Sequence, residues 1–160
     1  MAVITSSVLG VDLNNYSSTA LFARGTMING TDGSLFEYVN TLSAIAEGNA
    51  VGIDESGNAS NLTTTLATTV KKAGVAQISI AVSTFGWVQR MGKMNVQVAA
   101  NCAKDVLLFT TGTAGILDDA TISGAVFPGL NLITSTVSNA TIGVALAATP
   151  LFITFWANPA

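Results

Sequence analysis

The sequence predicts an all-β fold: a small closed or nearly closed β-barrel over residues 35–160, preceded by an extended N-terminal arm over residues 1–34. Three observations carry this expectation. Thr, Val, Ile, Ser, Asn and Gly dominate, whereas the Glu, Lys and Arg that fill helix surfaces are scarce, charged residues making up only 9%. Short apolar runs are broken by Gly, Asn, Asp or Ser, the spacing of strands joined by turns. Residues 120–160 carry no charge at all. Such a stretch belongs in a core, in a membrane or against another protein.

The elements follow in order. Residues 1–34 are polar, with isolated apolar side chains at Val3, Ile4, Val8, Leu9, Val11 and Leu13 and glycine turns at Met27-Ile-Asn-Gly and Thr31-Asp-Gly. That composition suits an arm better than a packed subdomain. From Leu35 onward, Phe36-Glu-Tyr-Val-Asn reads as a strand, and residues 42–47 as a strand or a turn of helix. Residues 50–54 form a short strand closing on a loop over 55–61, and residues 75–82 a long β-branched strand. Strand side chains repeat every two residues, so Phe85 and Trp87 share one face, and Val96 and Val98 point inward beside Asn95 and Gln97. Met91-Gly92-Lys93 between these runs predicts a hairpin turn. A strand over 106–111, a glycine loop over 112–119 and strands over 122–127, 130–136, 141–146 and 151–156 complete the series. Closure is favoured because it removes exposed edges.

Composition excludes several function classes. A chain of 160 residues accommodates one domain with a substantial core. The net charge of −3 and six scattered basic residues argue against nucleic acid, whose phosphates need clustered Lys and Arg. The absence of histidine removes Ser-His-Asp triads, Cys-His pairs and histidine metal sites. Cys102 is the single cysteine, which excludes an intrachain disulfide and a cysteine zinc site and fits a small buried residue. No basic segment leads into an apolar run at the N-terminus, so no signal peptide is expected. The Asn-x-Ser/Thr triplets at Asn15, Asn29, Asn58, Asn61 and Asn139 are then what an Asn/Thr/Ser-rich chain yields by chance. Residues 142–157 are apolar but fall short of the ~20 residues a spanning helix needs. Pro150 interrupts them and no Lys or Arg flanks them, so no membrane partner is expected.

Little chemistry is on offer. Asp54-Glu55 and Asp118-Asp119 carry carboxylates suited to Ca²⁺ or glycoside cleavage. Adjacent acids in a strand point to opposite faces, however, and their small polar neighbours mark solvated turns. Gly112-Thr-Ala-Gly-Ile-Leu lacks the lysine and following helix of a phosphate-cradling loop. Phe85 and Trp87 read as core or interface side chains before they read as a sugar-stacking platform. No catalytic, cofactor or metal residue is assigned.

One set of segments is more specific: Gly74-Val-Ala-Gln, Phe85-Gly-Trp-Val-Gln, Met91-Gly-Lys-Met-Asn-Val-Gln-Val-Ala, Thr111-Gly-Thr-Ala-Gly-Ile-Leu-Asp-Asp and Ile122-Ser-Gly-Ala-Val-Phe. Ala44-Ile-Ala-Glu-Gly-Asn-Ala-Val precedes them in the same order. Together they resemble tailed-bacteriophage capsid decoration, or cement, proteins over residues 36–127. The resemblance implies a small β-barrel without enzymatic activity that binds the major capsid protein on the outside of the assembled shell. It also implies a homo-oligomer, a trimer being favoured, and a place on the virion surface after synthesis in the host cytoplasm. Expected capsid or subunit contacts are the apolar arm residues named above with Tyr16, Leu21 and Phe22, and Leu151, Phe152, Phe155 and Trp156 of the tail. The alternative is a carbohydrate-binding β module on a virion or cell surface. It would stack sugars on Phe85 and Trp87 or on Trp156, and would need them exposed. An enzyme ranks third, needing Asp54, Glu55, Asp118 or Asp119 to converge in one pocket.

Overall fold

The computed structural model describes residues 10–120, 125–134 and 141–155. It is all-β. The β-branched runs form β1 Met27–Asn29, β2 Leu35–Thr41, β3 Ala50–Ile53, β4 Asn58–Asn61, β5 Lys72–Val75 and β6 Phe85–Val98. They continue as β7 Leu107–Thr110, β8 Leu117–Asp118, β9 Ala125–Leu132, β10 Thr141–Ala147 and β11 Thr154–Phe155. A 3-10 turn at Leu66–Thr68 is the only helical element among the described residues, and no helix there is long and apolar enough to cross a membrane.

Strands β2, β4, β3, β5 and β6 pair in that order and β6 returns to β2, closing a five-stranded barrel. The far half of β6 starts a second circuit through β10, β9, β7 and β8, which rejoins β6 in parallel at Val98↔Leu117. One long strand therefore serves both rings. Its length corrects the hairpin expected at Met91-Gly92-Lys93. Gly92 does adopt the positive φ of +100° that glycine permits, but within a continuous strand. The irregularity there is a bulge: Leu35 pairs with Met91 and Phe36 with Gln89, leaving Arg90 as the extra residue. Gln89 Nε2 donates to Met91 O and Lys93 O, both at 3.0 Å, which satisfies carbonyls around the bulge.

Other boundaries also shift for physical reasons. Of the strand expected over 75–82, only Val75 is in a strand. The Gln77 side chain takes over the pairing, its Oε1 accepting from Asn95 N at 2.9 Å while its Nε2 donates to Asn95 O at 3.0 Å. Residues 42–47 contribute just the bridge Ile45↔Ile80, and part of the expected loop over 55–61 is strand β4. The strands expected over 122–127 and 130–136 are, where described, the single strand β9, bent at Gly129 with φ +84°.

Inside the first barrel lie Val39, Val51, Ile53, Ala59 and Val88. Strand β3 is buried on both faces, and Gly52 is needed because a Cβ there would come 2.7 Å from Val70 Cγ2. The other face of β3 and β5 joins a larger cluster that fills the second ring with Met94, Val96, Leu108, Leu117, Leu130, Leu132 and Ala145. The charge-free stretch is thus, in its described inward-facing part, core. A third cluster packs Leu13, Phe36, Tyr38 and Trp87 on the outside of the first barrel.

Candidate functional site

A buried ion pair sits where the two rings meet, and nothing in the residue pattern marked it. The bulge turns Arg90 inward, where Nη1 donates to Glu37 Oε2 at 2.8 Å, Nε to Ala73 O at 3.0 Å and Nη2 to Leu151 O. Glu37, 1% exposed, also accepts from Lys72 Nζ at 2.7 Å. Arg90 O accepts from Leu151 N at 2.8 Å, so one residue clasps β2, β5 and the C-terminal segment together. A buried charge is tolerable only when its partners are complete, as they are here. The arrangement is a structural clasp, with each guanidinium nitrogen of Arg90 engaged.

The two acid pairs do not share a pocket. Asp54 and Glu55 border a cleft of about 310 Å³ with Thr69, Lys71 and Lys72. Burial raises the Asp54 pKa, but hydrogen bonds from the Asn58 backbone and side chain and the Ser56 N–H, with Arg24 nearby, outweigh it and hold the carboxyl below its ordinary value. Those bonds, at 2.8–2.9 Å, make Asp54 the organiser of the β3–β4 turn.

Asp118 and Asp119 instead flank Cys102, whose ligand atom lies within 4.8 Å of theirs. The Cys102 thiol donates to Asp118 Oδ1 at 3.4 Å, and Asp119 Oδ2 accepts from Ala103 N at 2.8 Å. Burial above all, with both carboxylates beside it, pushes the thiol up to about 12. A thiol this firmly protonated is a poor nucleophile. Cys102 is buried, as its small neighbours predicted.

The expected contact residues divide. Val3, Ile4, Val8, Leu9 and Trp156 lie outside the described residues. Leu13 and Leu151 are buried in this chain's own core, so neither is a surface contact. Val11 and Phe22 pack on the Leu13 cluster, and Ser17 bridges Phe85, laying this part of the expected arm along the barrel. Tyr16, Leu21 and Phe152 are exposed, while Phe155 lies in β11.

A surface that was not anticipated lies on the second ring. On β10, Ile142 and Leu146 are exposed and Val144 half-buried, alternate residues that share the outward face. Pairing sets Leu146 beside Asn131, and Asn131 beside the exposed Leu107, while Ile133 N bonds to Val144 O. The result is an apolar row along β10 whose cross-strand neighbours are polar, Asn131 of β9 on one side and Gln97, Asn95 and Lys93 of β6 on the other. Alternation was legible in residues 141–146, but which set faced outward was not.

Trp87 is 2% exposed and therefore offers no open platform of the kind the carbohydrate alternative required. It packs with Phe22 and Tyr38 at ring-centroid distances of 5.3 and 4.9 Å. These rings form the base of a cleft of about 230 Å³ whose rim includes Asp12, Asn15 and Tyr16. No known protein family and no curated protein matches the chain.

Proposed function

We propose that this chain is a structural virion protein that binds the outer surface of an assembled phage capsid and strengthens the lattice through protein–protein contacts. The observation that carries the reading is the outward apolar row of β10, with Ile133 beside it, in the stretch of chain that has no charge; Leu107 of β7 lies exposed on the same ring. Exposed contiguous apolar surface on a small domain is characteristic of interaction sites. The order of the glycine and aromatic segments, which resembles that of cement proteins, points the same way.

Cementing needs area and multiplicity rather than reactive groups. A specific contact buries about 1,200–2,000 Å² in total. A subunit that also binds its own copies gains avidity from linked contacts. In this reading the β10 face meets the major capsid protein and the subunits form a homo-oligomer, a trimer being favoured. The test is to band intact particles on a density gradient and look for this chain with the major shell protein. Co-migration at a fixed ratio is expected; a chain that stays at the top of the gradient when mixed with shells overturns the reading.

A further inference from the structure

Between residues 12–22 and the aromatic side chains of β2 and β6 the chain leaves a cleft of about 230 Å³. We infer that this cleft is a binding site for a single sugar ring, a function additional to, and independent of, shell binding.

Two buried donors carry the argument. Tyr38 and Trp87 both border the cleft and are each 2% exposed. The Tyr38 hydroxyl accepts from Leu21 N at 3.1 Å, but its own proton has no acceptor among the described residues. The Trp87 indole N–H likewise has no acceptor among them. Buried donors without partners are costly, and a ligand oxygen would satisfy them.

The walls and rim narrow the class of ligand. Phe22, Phe85 and Tyr16 supply apolar ring surface, to which the C–H face of a pyranose is complementary. At the rim, one Asp12 carboxylate oxygen accepts from Asn14 N and the Asn15 Oδ1 accepts from Tyr16 N. That leaves the second Asp12 oxygen and the Asn15 amide N–H₂ for ligand hydroxyls among the described residues. A ligand with an apolar face, an acceptor at its base and hydroxyls at its edge is a sugar. The volume lies below the ~300–1,000 Å³ of drug-sized pockets, which limits the site to one ring.

The test titrates the full chain with methyl glycosides of the common hexoses and N-acetylhexosamines, read by calorimetry and by saturation-transfer NMR. Saturable binding of at least one glycoside is expected, with a Kd on the order of millimolar for so small a ligand. Asp12→Ala, at the exposed rim, weakens it by roughly tenfold or more, and Trp87→Phe, which keeps a ring but removes the N–H, by roughly fivefold. Leu42→Ala, an exposed position outside the cleft, leaves it unchanged. Circular dichroism verifies that each variant is folded; should Trp87→Phe unfold, Asp12→Ala alone decides. No binding of any glycoside by the unmodified chain, or binding that Asp12→Ala leaves unaltered, overturns the inference. Neither result touches the shell-binding proposal, which the gradient experiment addresses.

Discussion

The two rings that share β6 are finished in different ways. The first is covered by its own chain: Leu13, Val11 and Phe22 lie over Phe36, Tyr38 and Trp87, and β1 extends β2. Its charged side chains Glu37, Lys72 and Arg90 are matched inside the fold. The second ring uses β9 and β10, which carry no charge, and leaves Ile142, Leu146, Ile133 and Leu107 exposed. One ring thus has its aromatic face covered by its own chain, with Leu21, Met27 and Leu42 exposed around it, and the other leaves the β10 row open. The difference teaches where to look for a partner, since a finished face has little to gain from another protein.

The rings can be separated at the clasp. Arg90→Ala leaves Glu37 buried without its main partner and should cost about 3–5 kcal/mol. Urea unfolding followed by circular dichroism measures this, and a split into two transitions would show that Arg90 is what makes the rings cooperate. Lys72→Ala should cost about 1 kcal/mol or less, because its side chain is 36% exposed and solvent screens the pair. Equal losses for the two variants would contradict the assignment of Arg90 as the clasp.

Gly92→Ala is the next largest. A Cβ would sit 2.6 Å from Ser34 Oγ in a backbone with φ +100°, so a loss of about 1–3 kcal/mol is expected in the same assay. A true hairpin glycine exposed to solvent would yield more easily, so a negligible loss would restore the turn reading.

Alkaline titration examines the second ring alone. The folded Cys102 thiol is raised to about 12 from its ordinary 9.0, so its contribution to stability is complete below pH 9 and is lost as pH climbs toward 12. Cys102→Ala should flatten that alkaline decline in unfolding experiments. A thiol reagent at pH 8 should leave the folded chain unmodified and label it once denatured. Prompt labelling of the folded chain would contradict the burial.

How much of this could be read from residues alone follows from what each signal encodes. Strands β3, β7 and β10 were legible because their apolar runs are short, β-branched and bounded by turn residues. The long β6 was misread because glycine marks both turns and bulges, and only the pairing with β2 tells them apart. Residues 75–82 looked like a strand because β-branched residues outnumber the one that mattered, Gln77, whose amide imitates a backbone pair. The clasp was hidden because Arg90 and Glu37 lie far apart in sequence and each looks like an ordinary strand-surface charge. The cleft was half visible: Phe85 and Trp87 were singled out, but their depth and the approach of Asp12 depend on how the N-terminal segment is laid on the barrel.

The smallest expected effect on stability belongs to the variant with the largest expected effect on assembly. Ile142→Asp combined with Leu146→Asp changes two exposed side chains, so stability should stay within about 1 kcal/mol of the unmodified chain. Attachment should nevertheless be lost. The measurement that tests the central claim most directly is therefore gradient sedimentation of undecorated shells mixed with the unmodified chain or with this double variant. The account predicts that the unmodified chain travels with the shells and the folded double variant remains behind. Equal recovery of both with the shells, or of neither, would contradict it.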